Sequence, residues 1–260
     1  MLVDSHCHLS SPEIYQDLEN VVERAKSAGI SGFLNAGGKF DELNIQLEIC
    51  HRFNNVWTAT GVHPHNAAEY EHIKAEDVLK NTKYDKVVAI GECGLDYFYD
   101  FAPKDVQIKV FKEMIKAAQI SQLPLIVHSR DAEDDTISLL KTAYLSCPFK
   151  GVIHCYSSSL KLAKEALKIN FYISASGIIT FKNSENLRKS FEIVPSNRLL
   201  VETDSPYLAP VPMRGKINEP GYIVHTTQVL ADLKGLDFKE ISDITSKNFF
   251  DLFDKARIVR

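Results

Sequence analysis

The feature that most constrains this chain is a rhythm. Short apolar, β-branched runs alternate about eight times with longer amphipathic stretches along 260 residues. The runs fall at 2–4, 32–35, 56–60, 87–90, 125–127, 151–153, 171–174 and 199–201. Each is brief and near-continuously apolar, as a strand covered on both faces must be. Between them, Leu18, Val21, Val22, Ala25 and Ala28 share one helical face, as do Val106, Val110, Met114 and Ala117. Gly29 is placed to end the first of these helices at its C′ position. Two closing helices are expected at 221–233 and 238–253. Such alternation predicts parallel strands joined by right-handed crossovers, in an open doubly wound sheet or a closed barrel.

The polar residues choose between these. The first run leads into Asp4-Ser5-His6-Cys7-His8. Residues i and i+2 of a strand point the same way, so His6 and His8 can reach one cation. Glu92 follows the fourth run, His128 the fifth, His154 the sixth, and Glu202-Thr203-Asp204 the eighth. An open sheet would spread these tips across its width, whereas a closed barrel gathers them at the mouth where such barrels carry their active sites. The expected fold is therefore α/β, a single (β/α)8 TIM-type barrel over residues 1–260, a length that suits one such domain.

The predicted metal ligands are His6, His8, Glu92, His128, His154 and Asp204. Four neutral imidazoles and two carboxylates bring −2 against the +4 of two divalent ions, leaving a site that attracts anions, phosphate above all. Zinc, manganese and magnesium all suit a mixed imidazole and carboxylate set. Glu92 is placed to bridge the ions. Asp204 is placed to orient a water, or to act as general base and later acid. Glu202 is left open between a supporting group, a further ligand and an interior carboxylate paired with a cation. His63 and His65 in the GVHPH string, Arg130 and Arg214 are candidate substrate contacts, with Gly215 and Lys216 beside the last. Tyr156 and Tyr97 are candidates for stacking on a base, with packing in the interior the commoner role of such a residue taken singly.

Net charge of −4 and a pI near 6.1 exclude a charge-driven nucleic-acid coat protein, although cations at a site can still attract a transient nucleic-acid substrate. Five cysteines form no CxxC pair and suggest free thiols in a reducing compartment. No basic n-region with an apolar core opens the chain and no apolar run reaches 18 residues, so a cytoplasmic protein without membrane contact is expected. No obligate protein partner is evident.

Taken together, the strings DSHCHL, GVHPH, IGECGLDY, LPLIVHSRDA, GVIHCYS, SGIITFKN and VETDSPYLAPVPMRGKINEP resemble the TatD-like metal-dependent deoxyribonucleases, a branch of the amidohydrolase-like TIM barrels. They run in order from residue 4 to 220, and the tail TSKNFFDLF is similar too. The resemblance implies the same six metal ligands. It also implies metal-dependent hydrolysis of DNA phosphodiesters, often as a 3′-to-5′ exonuclease on single strands or 3′ ends. Two strings depart from the family pattern. HCYSSS stands for the usual HCFSG, and YFYD stands where an arginine commonly follows GLDY, a contact that Lys104 could replace. An ester or amide hydrolase, such as a D-aminoacyl-tRNA deacylase, is the alternative on the same barrel. Glu92, in place of the carboxylated lysine usual in many such relatives, tilts the reading towards phosphodiesters. A metal-binding scaffold without catalysis is the third.

Overall fold

The computed structural model describes residues 1–256; residues 257–260, the end of the expected domain, lie outside the described residues. Strands β1 (Leu2–Cys7), β2 (Ile30–Asn35), β3 (Val56–Thr60), β4 (Val87–Asp96), β5 (Leu125–Arg130), β6 (Gly151–Ile153), β7 (Tyr172–Ala175) and β8 (Leu199–Val201) pair in sequence order. Every pairing is parallel. Helices cross between them, and Ile223–Lys234 and Phe238–Leu252 follow β8 within two residues of their expected ends. Gly29 has a φ of 92° just past the helix Leu18–Ser27, the left-handed turn that a C′ glycine supplies.

The seam between β8 and β1 is sutured by polar groups that also carry the site. Ser5 Oγ donates to Val201 O at 2.9 Å, Asp204 N to His6 O at 2.9 Å, and His8 N to Ser205 O at 2.8 Å. The buried Asp4 carboxyl group accepts from Thr203 N at 3.0 Å and pairs with Thr203 Oγ1 at 2.5 Å. The eight strands thus form the nearly closed ring of a TIM barrel.

Two-residue periodicity sorts the strands' side chains. Leu125, Val127, Ile153, Ile173 and Leu199 face the surrounding helices, in one apolar cluster with Phe111, Met114 and Leu162. Their neighbours turn inward. Val3, Leu34, Trp57, Val88, Ile126, Val152, Tyr172 and Leu200, one from each strand, form a cluster with Phe249 and Leu252 of the last helix and Phe253 just after it. The Trp57 and Phe249 rings are 5.7 Å apart, so this helix plugs one end of the barrel with apolar bulk. Two residues further along, Ile126 gives way to His128, Val152 to His154, and Leu200 to Glu202. The barrel is therefore apolar below and polar at its mouth.

Three strands run three or more residues past their expected ends. β1 continues through His6, β4 through Glu92 to Asp96, and β5 through His128 to Arg130. Polar residues and Gly91 look like strand ends locally, but the polar mouth lets the ladder continue. Gly94 makes this possible in β4. Its φ is 141°, and a Cβ there would lie 2.0 Å from the His128 carbonyl oxygen.

Candidate metal centre

Glu92 lies at the middle of the mouth, buried, with its two oxygens facing different histidines. Oε2 is 3.2 Å from His6 Nε2 and 3.8 Å from His8 Nε2. Oε1 is 2.7 Å from His154 Nε2, 3.3 Å from His128 Nδ1 and 3.4 Å from His63 Nε2. Asp204 joins the first lobe, with Oδ1 3.3 Å from His8 Nε2 and 3.8 Å from His6 Nε2. All six residues expected as ligands are thus gathered about one carboxylate.

Their far sides are held as well. His8 Nδ1 is 3.0 Å from Ala36 O, and His128 Nε2 is 3.0 Å from Asp96 Oδ2. Glu202 Oε1 lies 3.3 Å from His154 Nδ1, and it accepts the Cys155 N–H at 2.6 Å. An oxygen behind the ring fixes tautomer and orientation in metal-ligating histidines generally. Non-glycine residues in left-handed backbone occur at or next to two of the expected ligand positions: Asp204 itself at φ 57° and Cys155, next to His154, at φ 42°. Such conformations persist where surrounding bonds over-determine them, here the Asp204 N and Cys155 N bonds.

The donor set fits a metal. The trios His6, His8, Glu92; His63, Glu92, His128; and His6, His154, Glu202 each bring one ligand atom per residue within 4.8 Å of the others. His6 Nδ1 and His154 Nδ1 are both buried without a hydrogen-bond partner, although Glu202 lies close behind the latter. Electrostatics agree. Burial pushes the Glu92 carboxyl up, but His154, His63, His6 and the His128 contact outweigh it and hold the group well below its ordinary range. Asp204 is likewise held down against burial, chiefly by His8. Burial works to lower the imidazoles of His6, His8, His63, His128 and His154. His63 falls to about 4, and His6 is lowered too, with His154 adding to the effect. Against the same burial, Asp204 raises His8, Asp96 and Glu92 raise His128, and Glu92 and Glu202 raise His154 well above its ordinary value. Carboxylates that keep their charge and draw protons onto buried imidazoles will draw a cation in the same way.

The remaining candidates divide. His63, expected at the substrate, instead turns its Nε2 towards Glu92 within the second trio. His65 donates from Nε2 to Asp96 Oδ2 at 2.8 Å. Arg130 stacks its guanidinium 4.0 Å over Phe98, and Arg214 lies 4.0 Å over Phe181. Tyr156 corrects the expectation of base stacking. It is buried against Phe191 with its hydroxyl donated to Ser159 O at 2.6 Å, so neither ring face is open to a ligand. Tyr97 donates to Asp135 at 2.7 Å beneath Lys104, whose Nζ lies 4.3 Å over the ring. Sequence reasoning missed Asp96. It stands four residues after Glu92 in a strand, the same side by period two, and that spacing was the signal.

The family model of TatD related DNases matches residues 3–254. The chain belongs to the TatD family. Among relatives, the "uncharacterized metal-dependent hydrolase YabD" of Bacillus subtilis (strain 168) is 38% identical over 253 residues, covering 97% of this chain and 99% of that one. The "3'-5' ssDNA/RNA exonuclease TatD" of Enterobacter lignolyticus (strain SCF1) is 32% identical, covering 98% and 100%. The crystal structure of YJJV, a TatD homolog from Escherichia coli K12, superposes with a TM-score of 0.88 at 28% identity, over 97% of this chain and 98% of the other. This TatD chain is accordingly a metal-dependent hydrolase with residues able to bind a metal at its mouth. Among the described residues no helix is long and apolar enough to cross a membrane.

Proposed function

We propose that the chain is a single-domain nuclease of the cytoplasm that hydrolyses DNA phosphodiester bonds, as a 3′-to-5′ exonuclease, with two divalent cations. The observation that carries this reading is Glu92, whose two oxygens address two separate groups of imidazoles. In this reading His6, His8, Asp204 and Glu92 would hold one cation, and His128, His154 and Glu92 the other. His63 is a further donor within reach of the second lobe. When bound, such ions supply Lewis acidity, neutralise phosphate charge and make water acidic near neutral pH.

The chain's own groups do the rest. Asp204 stays ionised beside His8 and takes a proton from the attacking water, later returning it to the leaving oxygen. Asp96, Glu202 and Ala36 O keep His128, His154 and His8 oriented, so little reorganisation is needed during reaction. Arg130 and Arg214 are the cations available at the rim for the phosphate backbone. The name of the Enterobacter relative points the same way. A carboxylate at the bridging position, rather than a modified lysine, favours phosphodiesters over carbonyl substrates.

The test is digestion of an end-labelled single-stranded oligonucleotide with Mg2+, Mn2+ or Zn2+, alongside ester, amide and aminoacyl-tRNA substrates. Shortening from the 3′ end that a chelator stops is expected. Activity confined to carbonyl substrates, or undiminished cleavage by a His128→Ala, His154→Ala double variant, would overturn the reading.

A further inference from the structure

Beside the metal centre lies an aromatic cluster that the hydrolytic machinery does not use. Phe98, Tyr99 and Phe101 follow β4 and are 55%, 40% and 63% exposed. Rings so open to water forgo the burial that usually stabilises a phenyl group, and a contiguous exposed apolar patch marks a binding surface. The loop is built rather than frayed. Asp96 Oδ1 accepts the N–H groups of Phe98 and Tyr99, each at 3.0 Å, while its Oδ2 accepts from His128 and His65. The carboxylate that orients a metal-type imidazole therefore also fixes the rings.

The cluster is close to the reacting centre. From Glu92 the path runs 3.4 Å to His63, then 4.3 Å between the His63 and His65 rings. From His65 it is 4.8 Å to Phe101 and 5.3 Å to Tyr99. Tyr99 and Phe101 are themselves near-parallel at 28°, with centroids 5.4 Å apart. Arg130 lies over Phe98 at 4.0 Å and Tyr99 at 4.9 Å and pairs with no carboxylate among the described residues, leaving one unpaired cation against the rings. Flat apolar faces beside an unpaired guanidinium, two imidazoles from a phosphate-attracting site, match one kind of occupant: an unpaired nucleobase with its backbone phosphate.

We infer that Tyr99 and Phe101, with Arg130 packed against Tyr99, form a stacking platform for an unpaired base of the strand being cut, next to the scissile phosphate. The inference rests on the nuclease reading and deepens it, because duplex bases already stacked on their neighbours cannot use such a platform. A preference for single strands would then originate in these rings rather than in the residues of the metal-capable cluster. Every base has a π-face, so the preference carries little sequence specificity.

The test compares the metal-loaded protein with a Tyr99→Ala, Phe101→Ala variant. The probes are a single-stranded oligonucleotide carrying 2-aminopurine near its 3′ end and the same strand with abasic sites there. Both rings are exposed and their backbone contacts are retained, so the variant should fold, which an unchanged melting temperature would establish. The expected result is a KM raised about 5-fold or more on the base-bearing strand, the lower end of what one stacked base contributes, with no change on the abasic one. Equal rises on both strands, or none on either, would overturn the platform. Should the unaltered protein cut neither strand, the nuclease reading falls by itself. The platform is then decided by 2-aminopurine fluorescence: quenching lost in the variant upholds it, and quenching absent or retained overturns it.

Discussion

Asp96→Asn isolates the group that ties the metal centre to its surroundings. The change is isosteric, and the retained oxygen can still accept the Phe98 and Tyr99 N–H groups. The new amide nitrogen replaces Oδ2, which now accepts from His65 Nε2 at 2.8 Å and His128 Nε2 at 3.0 Å, so donors would face donors. Charge-assisted hydrogen bonds of this kind contribute about 1.5–3 kcal/mol each. The His128 arm continues directly to the centre, through Nδ1 at 3.3 Å from Glu92, whereas His65 reaches it only through contacts between rings, such as that with His63. Loss of an outer partner of a ligating histidine typically weakens metal binding by about 10–100-fold, or about 1.4–2.7 kcal/mol. That range is the expected effect on Zn2+ affinity, measured by competition with a fluorescent chelator at pH 8, with the melting temperature recorded alongside. His65→Ala removes the other arm and should leave affinity nearly unchanged. Wild-type affinity in Asp96→Asn, or an equal loss in His65→Ala, would refute the coupling.

Other perturbations test the same frame. Gly94→Ala places a methyl 2.0 Å from the His128 carbonyl at a φ of 141°, and should lower stability by more than the ~1–3 kcal/mol of backbone strain alone, read as a fall in melting temperature. Metal affinity should fall as pH falls, because a cation must displace the proton that Glu92 and Glu202 hold on His154. Glu202→Gln lowers the His154 pKa, so calorimetric titration with Zn2+ should show this loss setting in at lower pH; a midpoint that stays or rises contradicts the assignment. Burial pushes the Asp4 carboxyl up to about 8 despite its Thr203 bonds. The native state then keeps a proton that the unfolded chain releases near pH 4, so this group's contribution to stability falls as pH rises from about 4 to about 8. Asp4→Asn should flatten that part of the pH dependence relative to wild type, and identical slopes in the two proteins would contradict the shift.

The sequence by itself settled the eight-stranded rhythm, the parallel pairing and the cluster of metal-capable side chains at the strand tips. All of these follow from local periodicity: two residues per repeat in a strand, 3.6 in a helix, and one open end for every parallel strand in a closed ring. It also allowed Tyr156 at the site and gave His63 and His65 one shared role. Tertiary structure decided otherwise. Tyr156 is in the core, His63 faces Glu92 while His65 faces Asp96, and Glu202 stands behind His154. Asp96 went unnoticed because the ladder appeared to stop at Ile90, six residues short of its true end. Which side chain fills which gap depends on stagger between neighbouring strands and on the close approach at Gly94. A difference of a few ångströms in register changes a ligand into the group behind it, and periodicity within one segment carries no record of its neighbour's register.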